Sequence, residues 1–148
     1  MKQANLVRFY ILFSVLFASL SVSAESLVDL KVGDIKLKVN AVDYQEIESA
    51  LKQVNKSLAS CSPAHVVYTD VLIGRKNSYV IKDSGAYCNV ILIKDMSWVY
   101  DCKFKVDDTK LLISSIESRL SGRELLGDFT TQEQTLFFNQ KKCAVEEL

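Results

Sequence analysis

The chain has 148 residues, of which 49% are hydrophobic, and it carries 18 basic and 18 acidic residues with a single proline. This length predicts one domain, and the apolar content excludes an intrinsically disordered chain. The balanced charge excludes non-specific nucleic-acid binding, which requires an excess of lysine and arginine.

The first 24 residues predict a secretory signal peptide. Lys2 and Arg8 make a positively charged start, residues 9–20 form an apolar run, and Val22 and Ala24 occupy the positions that signal peptidase reads. The run is too short for a membrane-spanning helix. Cleavage after Ala24 would leave residues 25–148 as a single α+β domain, with 16 basic and 18 acidic residues after the loss of two basic ones. We therefore expect a periplasmic or secreted protein that has no transmembrane segment once the signal is removed.

Four cysteines follow the signal: Cys61, Cys88, Cys102 and Cys143. An even number of cysteines in an oxidising compartment predicts two disulfides. The cysteines lack the close pairs of a structural zinc site and the C-x-x-C pair of a thioredoxin-like site. We expect neither a metal nor a cofactor.

Residues 28–32 and 35–39 alternate between apolar and polar side chains, and Gly33-Asp34 between them suits a type II′ turn. The hairpin would place Val32 opposite Ile35, with a single bent strand as the alternative. Residues 43–60 then predict a long helix with a capping box at Asp43 and Glu46. Its apolar stripe suits a helix that lies across a sheet.

The next segments predict a four-stranded antiparallel meander over residues 65–73, 78–82, 87–94 and 98–106, joined by short turns. The last strand alternates, so Trp98, Tyr100, Cys102 and Phe104 should share the covered face. Two helices are expected next, over residues 107–121 and 132–142, the second with a capping box at Thr130 and Glu133. We expect the tail after Cys143 to be frayed. This order of elements is similar to cystatin-like and nuclear-transport-factor-like architectures at the level of the fold, without a motif of either family.

The disulfide pairing depends on the turn before the fourth strand. If that turn centres on Asp95, Cys88 lies opposite Cys102 and a cross-strand disulfide is feasible, which leaves Cys61 to pair with Cys143. The rival pairing joins Cys61 to Cys88 and Cys102 to Cys143. The sequence alone does not decide between them.

Candidate catalytic groups each have a simpler interpretation. His65 is the only histidine, and the nucleophile-elbow motif G-x-S-x-G is absent from the sequence. Asp107-Asp108 would suit a carboxylate pair, but acids at a helix start complement the positive end of the helix dipole. We assign no catalytic residue.

Candidate binding residues are aromatic or basic. Trp98 and Tyr100, with Tyr68, Tyr79 and Tyr87, would form an aromatic platform, and Arg75-Lys76 is a basic turn. We expect Lys103 and Lys105 to keep a solvated strand face from pairing with another strand, and Lys141-Lys142 to complement the negative end of a helix dipole. We do not expect these lysines to form one anion site.

These observations favour a small exported, disulfide-stabilised domain that acts as a non-enzymatic binding module for a protein or a cell-envelope component. A small hydrolase that uses His65 or a carboxylate is the first alternative. A secreted inhibitor or virulence-associated protein is the second.

Overall fold

The computed structural model describes residues 27–32, 35–70, 74–122 and 129–148. It confirms the predicted α+β fold: a two-stranded sheet, a long helix, a five-stranded antiparallel sheet, and two further helices. The predicted signal peptide and the Gly33-Asp34 turn lie outside the described residues. In chain order the elements are β1 (Leu27–Val32), β2 (Ile35–Asn40), α1 (Ala41–Ser60), β3 (Ala64–Thr69), β4 (Lys76–Asp83), β5 (Cys88–Lys94), β6 (Trp98–Phe104), α2 (Val106–Gly122), α3 (Thr131–Phe137) and β7 (Cys143–Glu147).

The N-terminal hairpin has the predicted register. Val32 lies opposite Ile35 and Val28 opposite Val39, so the alternative of one bent strand is wrong. The first helix begins earlier than the capping-box prediction. Asn40 caps it, because its side-chain oxygen accepts a hydrogen bond of 2.8 Å from the backbone amide of Val42.

The helix α1 ends where the sequence predicted an end. Cys61 takes a left-handed conformation with φ of 49°, and its amide bonds back to the carbonyl of Leu58. The chain then passes through Ser62-Pro63 into the sheet. One face of α1 is covered by the sheet and by α2, and its buried residues are Ala41, Ile47, Ala50, Leu51, Val54, Ser57 and Leu58.

The large sheet has the order β3-β4-β5-β6-β7, with each strand antiparallel to its neighbours. The four predicted strands are present, with shifted ends. The prediction of a frayed tail is wrong, because residues after Cys143 form β7 at the edge of the sheet. Charged residues flank the few apolar residues of this strand, so a hydrophobicity pattern does not reveal it. Cys143 joins it to β6 through a disulfide.

The turn between β5 and β6 determines which cysteines meet. Asp95 and Met96 both have positive φ, and the amide of Ser97 donates to the carbonyl of Lys94 at 3.0 Å. Trp98 therefore lies opposite Lys94, which centres the pairing one residue later than expected. The predicted faces of the strands survive this shift, but the residues that lie opposite one another change.

The pairing of Cys88 with Cys102, and of Cys61 with Cys143, is consequently wrong, and the rival pairing is correct. Cys88 lies opposite Phe104 instead of Cys102. The structure joins Cys61 to Cys88, which ties the end of α1 to the start of β5, and Cys102 to Cys143 between β6 and β7. Among the described residues no cysteine is free.

The two C-terminal helices differ from prediction mainly in their limits. The second begins at Val106, one residue before the predicted start. The third ends at Phe137 instead of Lys142, because the chain must turn back to start β7. Its predicted capping box is confirmed, since Thr130 accepts from the Glu133 amide and Glu133 accepts from the Thr130 amide.

The core lies between the inner face of the sheet and the three helices. Val90, Cys102 and Phe104 are each 0% exposed on this face, as the alternation from Trp98 predicted. The opposite, outer face carries side chains such as His65, Val67 and Lys103, which are exposed. In the described part of the chain, no helix is both long enough and apolar enough to cross a membrane.

Candidate functional site

The predicted aromatic residues do not form one platform. Trp98 is 42% exposed at the start of β6, whereas Tyr100 is only 6% exposed. The Tyr100 ring meets those of Phe129 and Phe137 edge-on, with centroids 5.3 and 5.7 Å apart, and burial raises its pKa. Tyr87 is exposed at the other end of the sheet. Trp98 is thus available for binding, and Tyr100 belongs to the core.

Arg75 and Lys76 are exposed where β3 turns into β4. Antiparallel pairing places this turn at the end of the sheet that also holds the β5–β6 turn, since Ser78 lies opposite Ile93. Lys103 lies at the other end. The basic turn therefore remains separate from the other basic residues of the sheet.

His65 lies on the outer face of the sheet beside a serine. Its Nε2 atom is 3.0 Å from the hydroxyl oxygen of Ser78 on the neighbouring strand. The sequence missed this contact, because the two residues meet only through the β3–β4 register, in which His65 lies opposite Val80. The pair supplies a hydroxyl next to an imidazole, on an exposed face.

Asp107 and Asp108 occupy the first turn of α2. Asp108 accepts a 3.0 Å hydrogen bond from the Lys105 amide with one oxygen and a 2.5 Å bond from the Lys142 ammonium with the other. The carboxylate therefore caps the start of α2 and joins it to the segment before β7. This supports the helix-start interpretation of the pair.

A buried polar pocket lies between the sheet and the two C-terminal helices. At its centre Arg119 of α2 donates a 2.9 Å hydrogen bond to Glu133 of α3, and their side chains are 13% and 4% exposed. Tyr68 and Tyr79 line the same pocket, and burial raises the pKa of both phenols. The ion pair compensates two charges that would be costly to bury alone.

The pocket is too small for a metabolite. Asn77 closes it on one side by accepting a 2.9 Å hydrogen bond from the Asp95 amide. Lys94 closes another side, with its ammonium 4.2 Å from the centre of the Phe129 ring. The volume of the pocket is 30 Å³, far below the several hundred cubic ångströms of typical ligand sites. We therefore assign this cluster to the packing of α2 and α3 on the sheet.

A second concavity, which we call the lysine groove, opens at the other end of the sheet. It has a volume of 710 Å³, within the range of ligand sites. Four segments build it: the residue before β5, the end of β6 with the first residues after it, the first turn of α2, and the turn before β7. Its lining residues are Tyr87, Lys103, Lys105, Asp107, Asp108, Lys141 and Lys142.

Backbone hydrogen bonds hold these segments together. The Lys103 amide donates to the Lys142 carbonyl at 2.8 Å. The Lys141 amide donates to the side-chain oxygen of Asn139 at 3.1 Å. The lysines therefore project from a fixed framework, although their own side chains lie at the surface.

The charge of the groove is positive. Four lysines face two aspartates, and Lys142 and Asp108 offset each other. The remaining charges are three positive ones, on Lys103, Lys105 and Lys141, and one negative one, on Asp107. The groove therefore attracts anions. The structure places these lysines on one concave surface, which the sequence analysis did not expect. The fold brings them together through the β6–β7 pairing, which the sequence pattern did not reveal.

An apolar pocket of 220 Å³ adjoins the groove and shares Tyr87 with it. The disulfide Cys61–Cys88 lies in its wall, and Val106 at its rim is 69% exposed. This end of the molecule therefore offers apolar surface next to positive charge.

No protein-family model matches this chain, and neither a curated protein nor a solved structure matches it with significance. Among the described residues, no group of three or more histidine, cysteine, aspartate or glutamate side chains is placed to hold a metal ion.

Proposed function

We propose that this protein is an exported, disulfide-stabilised, non-enzymatic binding domain, and that its lysine groove binds an acidic segment of a partner protein. The observation that carries the proposal is the 710 Å³ groove, in which lysines from two chain segments, residues 103–105 and 141–142, converge on one surface. The convergence places positive charge on a rigid frame, which favours an anionic ligand without a large loss of entropy on binding.

The surroundings of the groove favour a protein ligand over a uniformly charged polymer. Tyr87 is 41% exposed and Val106 is 69% exposed beside the lysines. A peptide with acidic and apolar side chains can use both surfaces, as mixed interfaces between proteins do. A polyanion would use only the lysines, and the excess of acidic residues after Ala24 opposes its approach.

Export rests on the charged, apolar and small-residue order of residues 1–24 and on two disulfides in a small domain. N-terminal sequencing of the protein from the medium and the periplasm tests it. We expect the mature chain to begin at Glu25. A chain that still begins at Met1 and sediments with the membrane would contradict export.

Binding is tested by capture from the native envelope and medium with the oxidised protein, compared with a Lys103→Glu/Lys105→Glu variant. A partner retained by the wild type should be lost with the variant, and its retention should fall as the salt concentration rises. The matched control is Lys56→Glu/Lys76→Glu, which reverses two exposed lysines away from the groove. Equal capture by both variants would contradict the groove as the binding surface.

A hydrolase is the second candidate, and the 3.0 Å contact between His65 and Ser78 favours it. The imidazole can take a proton from the serine hydroxyl, which is the first requirement of a serine nucleophile. Ester hydrolysis by the wild type, His65→Ala and Ser78→Ala tests the pair. Activity that both substitutions abolish would place the hydrolase first, and equal background hydrolysis by all three proteins would exclude this pair.

A further inference from the structure

The strand β7 presents an open edge. Among the residues that the structure describes, it is the last strand in the order of the sheet and pairs on one side only, with β6. From Ala144 onward its residues are exposed. Unpaired edges of this kind accept another strand unless their side chains prevent it.

Successive residues of β7 direct their backbone N–H and C=O groups alternately toward β6 and toward the open side. The Lys142 carbonyl accepts from Lys103 at 2.8 Å, and the Leu148 amide donates to Ser97 at 2.8 Å, so the even-numbered residues direct their backbone toward β6. In an antiparallel ladder the residues between them direct theirs outward. The amides of Val145 and Glu147 therefore point to the open side.

The charges of this edge are complementary to themselves. The sequence is Lys-Lys-Cys-Ala-Val-Glu-Glu over residues 141–147, with two cations before Ala144 and two anions after it in mirror order. A second copy that runs antiparallel about Ala144 sets Lys142 opposite Glu146, and it does so twice because the arrangement has two-fold symmetry. Opposite charges in directly opposed positions stabilise an antiparallel pair.

The backbone permits this register. With Ala144 opposite its own copy, Cys143 lies opposite Val145 of the second copy. Both are outward-facing residues, as a hydrogen-bonded pair requires. The Val145 amide can then donate to the Cys143 carbonyl across the interface. A register centred on Val145 would instead set Lys142 opposite Leu148 and lose both charge pairs.

Exposed apolar side chains lie beside the edge on the inner face. Val145 lies opposite Tyr100, is 43% exposed, and neighbours Trp98, which is 42% exposed. Phe138 is 54% exposed, with its ring 6.0 Å from that of Tyr100. Half-exposed aromatic residues at the rim of a core are the anchors that protein interfaces use.

We propose that β7 is a self-association surface, which pairs antiparallel with β7 of a second copy about Ala144 and joins the two large sheets into one. Edge strands that avoid pairing carry charges that repel an incoming copy. Here the two halves of the strand have opposite sign and attract one. Because the strand has only five residues, we expect a dimer that dissociates on dilution.

Sedimentation velocity of the mature, oxidised protein over a concentration series tests the proposal. The wild type should approach twice the monomer mass as the concentration rises. Glu146→Lys should weaken the dimer by about tenfold or more, because each lost charge pair becomes a repulsion. The control Glu117→Lys, at an exposed position of α2, should leave the dimer unchanged.

A mixture gives the sharpest outcome. Lys142→Glu alone should also be monomeric, but an equal mixture with Glu146→Lys should form a heterodimer, since every opposed pair is then complementary. Lys142 also pairs with Asp108, so thermal melting checks the fold of that variant. If it does not fold, Val145→Pro serves as a second single variant, which should be monomeric because this change removes an amide that points to the open side and would donate across the interface.

Three results would overturn the proposal: a wild type that stays monomeric at all concentrations, a dimer that Glu146→Lys leaves intact, or folded single variants that fail to combine. A dimer that persists in Glu146→Lys would indicate pairing through another surface, such as β3 at the opposite edge.

Discussion

Replacement of Phe104 by alanine is the most direct test of the core. Phe104 lies on β6, is 0% exposed, and its ring centroid is 5.8 Å from that of Phe137 in α3. It lies opposite Cys88, whose disulfide holds the end of α1. The Phe104 side chain thus lies where the sheet, the helix α3 and the Cys61–Cys88 disulfide come together.

The cost has three parts. Loss of apolar burial contributes about 2–3 kcal/mol for a phenylalanine side chain. A residual cavity of about 50 Å³ would add about 1 kcal/mol at about 24 cal/mol per Å³. The lost contact with the Phe137 ring adds about 0.5 kcal/mol. We expect the free energy of unfolding to fall by about 3–5 kcal/mol.

Denaturant titration of the oxidised mature protein measures this change, with Lys103→Ala as the matched control. Lys103 is the preceding residue in the same strand and points to the outer face, so its replacement should cost no more than about 0.5 kcal/mol. If Lys103→Ala is the damaging change and Phe104→Ala has no effect, the assignment of the two faces of β6 is wrong.

Three further predictions concern charge, pH and the covalent framework. Glu133→Gln should lower the free energy of unfolding by about 3 kcal/mol, because it removes the negative charge of a buried ion pair with the guanidinium of Arg119; denaturant titration measures it, and a neutral effect would contradict the importance of this pair. The raised pKa of Tyr79 favours the protonated phenol in the folded state. The contribution of Tyr79 to stability should therefore be full below about pH 10 and fall above it by up to about 1.4 kcal/mol per pH unit, in addition to the fall from Tyr68, and Tyr79→Phe should reduce the total slope in urea titrations at successive pH values. Peptide mapping should join Cys102 to Cys143, and removal of this disulfide should cost about 4 kcal/mol by loop entropy; a Cys88–Cys102 peptide would contradict the β5–β6 register.

The parts of the fold that the sequence predicted are those with a local signal. The stripe of α1 and the capping box of Thr130 and Glu133 arise within single turns of chain, and both are present. The covered face of β6 was also predicted, because alternation along one strand does not depend on its neighbour. The buried or exposed state of Tyr100 and Lys103 followed from that alternation.

Apart from the limits of the helices, the errors concern contacts between segments. The centre of the β5–β6 turn lies at Met96 instead of Asp95, and this changes the register by two residues, so that Cys88 moved away from Cys102 without a change in the face of either. A turn type that needs positive φ at Asp95 and Met96 could not be inferred, because neither residue is glycine. The strand β7 has little apolar content of its own, and the sheet that it completes is what makes it a strand.

The lysine groove was missed for the same reason, and its position follows from the covalent framework. The disulfide from Cys102 fixes Cys143, and the segment just before Cys143 carries two of the groove lysines. The other disulfide lies in the wall of the adjoining apolar pocket. Both cross-links therefore hold the groove end of the molecule, while a buried ion pair holds the opposite end. Surface lysines alone would not keep one arrangement, because each loses side-chain entropy when it is held in place. Anchoring the backbone beneath them lets the groove present its charge at a lower entropic cost.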